Sequence, residues 1–197
     1  MTVKAHAVHG MGFRSTLPLM VQPWNDWYHC NGNIYGTWVR GSELGYRERH
    51  HRKHVLGDYK HRPPVERDEW LRKRSRRLMR QAPVFLTDHQ ARLAGTAMVR
   101  RLLQREVELL ALAVNAYHFH LLGRFPDHRP RYYIGLAKQY AAYMLTRDQE
   151  LRAPIWAKRC RCLPIADRKH QVNVYSYVLE HEDKGPCFLW NHRMATP

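Results

Sequence analysis

The sequence predicts an α+β fold in which helices pack against a mostly antiparallel sheet. The predicted elements run strand, helix, hairpin, helix, strand, helix along the chain. A hairpin pairs neighbouring strands antiparallel, and helices between strands cover the apolar surface of a sheet. At 197 residues the chain is long enough for one domain with a substantial core. We therefore interpret residues 1–197 as a single domain.

The segment after the first predicted strand is rich in positive charge. Trp24–Asn31 is a candidate strand, and glycines then mark a loop region. Residues 40–80 contain 14 of the 33 Lys and Arg residues, together with Pro63-Pro64. We interpret this segment as a basic insert of the domain, with a short helix near Trp70–Arg80.

The central elements have clear boundary signals. Thr87 is a good helix N-cap with Gln90 three residues later, as in a capping box, and the helix is expected to end near Gln104. Val107–Val114 is a nearly continuous apolar strand. Asn115-Ala116 is expected to form a hairpin turn, with Tyr117–Leu122 as the return strand.

Three further elements follow the hairpin. A helix is predicted over Tyr132–Leu145, a strand over Lys158–Ile165, and a last helix over Arg168–Glu182, which Gly185-Pro186 ends. The buried stripe of the first of these helices is predicted to be Tyr133, Ala137, Tyr140, Ala141 and Met144.

The charge and the cysteines indicate which partners and which cellular compartment to expect. The formal net charge is +16, which indicates a nucleic acid or another anionic surface as the partner. The sequence has no apolar run of membrane-spanning length and no signal peptide, so we expect a cytoplasmic protein that does not associate with membranes. Cys160-x-Cys162 is not a zinc-ribbon spacing, and Cys30 and Cys187 supply no second close pair. Reduced thiols are expected; the alternative is joint metal binding by Cys160 and Cys162, which would share one face of a strand.

His118-Phe119-His120 is a candidate metal-binding motif. Side chains two apart on a strand point to the same face, so both imidazoles would stand side by side, with Phe119 directed to the opposite face. The alternative is a structural pair, since the chain has 14 His residues and chance pairs are expected. A metal site would still need a third ligand and a reacting group.

The last helix offers both a possible third ligand and a possible reacting group. With about 100° per residue, one side of this helix carries the predicted core residues Val172, Tyr175, Val178 and Leu179. Tyr177 lies roughly 160° from the middle of that stripe, and His181 follows one turn later on the same side. Tyr175 is therefore predicted to be a packing residue. Tyr177, beside a potential ligand, is a candidate nucleophile; the alternative is an exposed Tyr and His on a surface helix.

His118-Phe119-His120 followed by a tyrosine-bearing C-terminal helix resembles the HUH single-tyrosine transposases. These include small insertion-sequence transposases and REP-associated tyrosine transposases. Residues 27–41 resemble the start of such proteins, residues 112–124 their metal-binding strand, and Tyr177–His181 the segment with the nucleophile and a third ligand four residues later. The resemblance implies a ferredoxin-like or RRM-like antiparallel sheet with helices packed on one face, in a protein that forms homodimers.

The resemblance also implies a reaction. Mg²⁺ or Mn²⁺ held by His118, His120 and His181 would bind the scissile phosphate of single-stranded or hairpin DNA, and Tyr177 would attack it to form a 5′-phosphotyrosine. Family members often have Gln or Asn where this chain has His181, a competent ligand. Glu180 is the alternative third ligand, since a carboxylate suits Mg²⁺ better.

DNA contacts are expected from the basic residues. We predict phosphate contacts at Arg40, Arg47, Arg49, Arg52 and Lys53 in the basic insert, and Lys138 could assist at the phosphate. Three other functions fit parts of the sequence. These are a domesticated, non-catalytic DNA- or RNA-binding protein, a metal-dependent nuclease that uses water, and a basic RNA-binding protein with a structural His pair.

Overall fold

A computed structural model describes residues 22–39, 41, 65–149, 151–182 and 186–192. Within them lie four α-helices and five β-strands. The helices are α1 Val65–Arg77, α2 Asp88–Leu103, α3 Pro130–Asp148 and α4 Arg168–Leu179. The strands are β1 Trp27–Ile34, β2 Glu108–Asn115, β3 His118–Arg124, β4 Trp156–Pro164 and β5 Cys187–Asn191.

The sheet has the strand order of a ferredoxin-like fold, extended by one strand. Its order is β4-β1-β3-β2-β5, and every neighbouring pair is antiparallel. The first four strands alternate with α2 and α3 in the β-α-β-β-α-β sequence of that fold. The predicted α+β class with an antiparallel sheet is therefore confirmed.

Helices cover both faces of the sheet. One face packs with α2 and α3 around a core that includes Met98, Phe119 and Leu121. The other face carries a smaller core in which Val174 and Val178 of α4 meet β2 and β3. The prediction had placed the helices on one face only. Strand β2 is buried on both sides, so its second apolar face requires a cover, and α4 supplies it.

Several element boundaries agree with their sequence signals. Thr87 and Gln90 form the predicted capping box of α2, each side chain bonding the other's backbone N–H. Asn115 makes the hairpin turn, because its Oδ1 accepts from the backbone N–H groups of Tyr117 and His118. Helix α3 starts two residues earlier than predicted. Pro130 lies in its first turn, where a backbone N–H would have no partner within the helix.

Other boundaries differ from the prediction. Strand β1 starts at Trp27 rather than Trp24, because a short 3₁₀ turn with positive φ at Asn25 and Asp26 precedes it. Helix α1 spans Val65–Arg77, earlier than the predicted Trp70–Arg80. Strand β5 was not predicted at all. It docks where Gly95 of α2 has no side chain, since a Cβ there would lie 1.9 Å from the Phe188 ring.

No helix among the described residues is both long and apolar enough to cross a membrane. All four cysteines have free thiols.

Candidate metal and tyrosine site

The two histidines of β3 lie together on the α4 face of the sheet. His118 and His120 are in T-shaped contact, with ring centroids 4.9 Å apart. Phe119 between them is fully buried on the opposite face, as strand alternation predicts. The turn residue Asn115 also contacts His118, its Nδ2 lying 3.3 Å from His118 Nε2. The hairpin therefore sets the position of the first histidine.

Helix α4 brings a third histidine to this pair. Its N-cap Asp167 accepts from the His170 N–H and starts the helix. At the other end, the His181 ring lies 4.5 Å from the His120 ring and 5.4 Å from the His118 ring, measured between centroids. His181 is only 3% exposed and His120 only 7%. The sheet and the helix thus enclose the cluster from two sides.

The three histidines have the geometry of a possible metal site. One ring nitrogen from each lies within 4.8 Å of the others. Three imidazole ligands, two of them from buried residues, would suit a divalent transition metal better than Mg²⁺, which prefers oxygen ligands. Glu180 does not belong to this group, nor to any other such cluster among the described residues. Of the two third ligands considered from the sequence, the fold brings His181 to the pair.

A hydrogen bond orients the His181 ring. Its Nδ1 lies 2.9 Å from the Tyr177 carbonyl oxygen, one helical turn earlier. Because a carbonyl can only accept, Nδ1 carries the proton and the ring's lone pair is on Nε2. A metal-binding histidine commonly donates its second nitrogen to such an acceptor. The end of α4 therefore holds His181 in a form suited to binding a cation.

Tyr177 lies beside the histidines with its side chain partly open to solvent. Its ring is 5.1 Å from the His120 ring and 5.0 Å from the His181 ring, and the residue is 39% exposed. Burial, with a smaller contribution from the charge of Glu180, raises the pKa of the Tyr177 hydroxyl. The hydroxyl is therefore protonated at neutral pH, and its proton must leave during any nucleophilic attack.

The buried stripe of α4 differs from the predicted one. Its buried residues are Gln171, Val174 and Val178, whereas Val172 is 47% exposed. Tyr175 packs against the smaller core, as predicted. Tyr177 lies at the flank of the buried stripe and faces the sheet, rather than pointing directly away from the packing side. The prediction used apolar residues alone, so it missed Gln171, which is polar but only 2% exposed.

A fourth histidine, which the sequence did not single out, joins the cluster from β1. His29 Nε2 lies 3.0 Å from His120 Nδ1, and the two rings stack at 5.3 Å. Burial lowers the pKa of His29 to about 4, with smaller contributions from the positive charges of His170 and Arg161. His29 is thus neutral at pH 7. Strand β1 was predicted from the sequence, but only its pairing with β3 places His29 beside His120.

The predicted DNA-contacting residues are not brought to this cluster. Lys138 lies on α3, among the residues that pack on the other face of the sheet, and is 8% exposed. Its Nζ donates to the Ala157 carbonyl at 2.6 Å, and burial lowers its pKa. This position contradicts an assisting role at the phosphate. The remaining predicted contacts lie outside the described residues; they are Arg40, Arg47, Arg49, Arg52 and Lys53.

One exposed cation that the sequence did not single out does lie near the histidines. Arg161 on the edge strand β4 is opposite Asn31 of β1, and Asn31 is in turn opposite His120. Directly opposed residues of neighbouring strands share a face. Arg161 therefore extends the row from His120 towards the edge of the sheet.

Comparisons with known proteins identify similar structures but no similar sequence. No protein-family model matches the chain, and no curated protein does. One similar solved structure is a REP-associated tyrosine transposase bound to a REP hairpin, with 16% identity, a TM-score of 0.42, and coverage of 81% of this chain and 68% of that one. Another is a protein from Deinococcus radiodurans proposed to be a transposase, with 17% identity, a TM-score of 0.36, and coverage of 78% and 88%. Both TM-scores are modest.

Proposed function

We propose that this protein is an HUH-type tyrosine transposase that cleaves and rejoins single-stranded DNA. The observation that supports this most is the meeting of Tyr177 with His118, His120 and His181 at one partly open position. These groups come from a strand and a helix far apart in the chain. A tyrosine beside three potential ligands suits nucleophilic attack on a phosphate.

The chemistry follows from the groups present. A divalent cation held by the three histidines would act as a Lewis acid towards a phosphate oxygen. The Tyr177 hydroxyl oxygen would attack phosphorus, forming a new O–P bond while the bond from phosphorus to the 3′ oxygen breaks. The tyrosine loses its proton, and the departing DNA end becomes a free 3′-OH. Attack by another 3′-OH would reverse these changes, so no ATP is needed.

The substrate and assembly belong to the same proposal. We infer that the substrate is single-stranded or hairpin DNA, held by the positive charge of the basic insert and by Arg161. The cation would be Mn²⁺ or Mg²⁺, and the imidazole ligands favour Mn²⁺ of the two. The protein would act as a homodimer in the cytoplasm, and sedimentation of the full chain tests the dimer.

One assay tests the proposed reaction. The full chain is incubated with a labelled single-stranded oligonucleotide containing a hairpin, with Mn²⁺ or with EDTA, and separated under denaturing conditions. We expect a covalent protein–DNA adduct with Mn²⁺ and none with EDTA. Cleavage without an adduct would favour the nuclease that uses water, and binding without cleavage would favour the domesticated DNA-binding protein. Preference for duplex RNA would favour an RNA-binding protein.

A further inference from the structure

His29 has a contact that none of the proposed steps uses. Its Nε2 lies 3.0 Å from Nδ1 of His120, one of the three proposed ligands. Strand β1 places it there, because His29 and Asn31 face the same side of the sheet and Asn31 is opposite His120. Two neutral imidazoles at this distance form one N–H···N hydrogen bond, in which one ring donates and the other accepts.

The direction of this hydrogen bond decides what His120 can bind. If His29 donated, His120 Nδ1 would be the acceptor and its proton would be on Nε2, which then could not bind a cation. If His120 donates from Nδ1, its lone pair is on Nε2. His181 has this second arrangement, since its Nδ1 donates to the Tyr177 carbonyl. With this tautomer in both rings, His120 and His181 would each offer Nε2 to a cation.

We propose that His29 is a positioning residue that accepts the Nδ1 proton of His120 and thereby fixes this ligand in its metal-binding tautomer. The stacked contact between the two rings, with an interplanar angle of 27°, also limits rotation of His120. Partners in this position normally hold a ligand's orientation, and their loss costs about 10–100-fold in metal affinity. The inference rests on one part of the proposed function, which is that His120 binds a cation.

The tautomer is measured first, in the metal-free full chain. Long-range ¹H–¹⁵N spectra of histidine-labelled protein show which ring nitrogen is protonated, and the His120→Gln spectrum identifies the His120 signals. We expect His120 to carry its proton on Nδ1 in the unchanged protein, and to lose this preference in His29→Phe. A proton on Nε2 in the unchanged protein would overturn the inference.

Metal affinity is measured next, by the loss of the free Mn²⁺ electron-paramagnetic-resonance signal. We expect His29→Phe to weaken Mn²⁺ binding about 10–100-fold. His29→Gln should restore most of it, because its side-chain oxygen can accept in place of Nε2. His89→Phe is the matched control, since His89 is exposed on α2, and it should bind like the unchanged protein.

The outcomes distinguish the positioning role of His29 from the proposed function. Equal Mn²⁺ affinity in His29→Phe and the unchanged protein, with both folded by circular dichroism, would refute the positioning role. Failure of His29→Gln to restore binding would refute the hydrogen bond as its cause. If the unchanged protein binds no Mn²⁺, the proposed function fails, while the tautomer spectra still decide the role of His29.

Discussion

The two faces of strand β3 differ in what covers them. Phe119 and Leu121 point to the face that α2 and α3 close, and both are fully buried in the larger core. His118 and His120 point to the face that α4 covers, where Tyr177 remains 39% exposed. Alternation along one strand thus places core residues on one face and the candidate site on the other. Substitutions on the two faces should therefore have separate effects.

The largest expected effect is that of Tyr177→Phe. Removing the hydroxyl removes the only nucleophile proposed, so the covalent adduct should disappear while DNA binding remains. Denaturing electrophoresis with labelled DNA measures this. Tyr175→Phe is the matched control, because Tyr175 packs against the smaller core, and it should keep the adduct. An adduct of undiminished yield in Tyr177→Phe would show that another residue is the nucleophile.

Phe119→Ala tests the other face of the strand. The Phe119 ring is fully buried and packs edge-on against Trp156, with centroids 5.7 Å apart. Its loss should lower the free energy of unfolding by about 3–5 kcal/mol, as measured by urea denaturation. Folded Phe119→Ala protein at low temperature should still bind Mn²⁺. If binding is lost while the protein stays folded, the two faces are coupled.

His181→Ala tests the histidine face without opening the larger core. Loss of one of three ligands should reduce Mn²⁺ affinity by at least about 100-fold, or about 2.8 kcal/mol, in the same resonance titration. Salt-sensitive DNA binding should be retained, because phosphate contacts depend on the basic residues. Glu180→Gln is the control and should change Mn²⁺ affinity little. A larger loss in Glu180→Gln than in His181→Ala would make Glu180 the third ligand.

Lys138→Met should have the smallest effect on function. The ammonium is buried on the α2 and α3 face and bonds a carbonyl there, so DNA affinity should not change. The measurement is the salt dependence of binding to labelled single-stranded DNA. A phosphate contact at Lys138 would instead reduce the slope of that dependence by about one on removal, which would contradict the position that the fold gives it.

Sequence patterns predicted most elements, and they did so where the signal was local. The Thr87 and Gln90 cap, the Asn115 turn and the alternation around Phe119 each depend on residues within a few positions of one another. Strand β5 was missed because its apolar run is short, and a run of this length does not by itself distinguish a strand from other structure. It depends on pairing with β2 and on the space beside Gly95.

The candidate site divides in the same way. The sequence by itself determined that His118 and His120 share a face and that Tyr177 and His181 lie one turn apart, because strand and helix periodicities are properties of the local backbone. Only the tertiary structure decided that α4 covers the histidine face, that β1 places His29 against His120, and that Lys138 lies on the other side. These contacts join residues far apart in the chain, so they depend on strand pairing and helix packing, which no local pattern encodes.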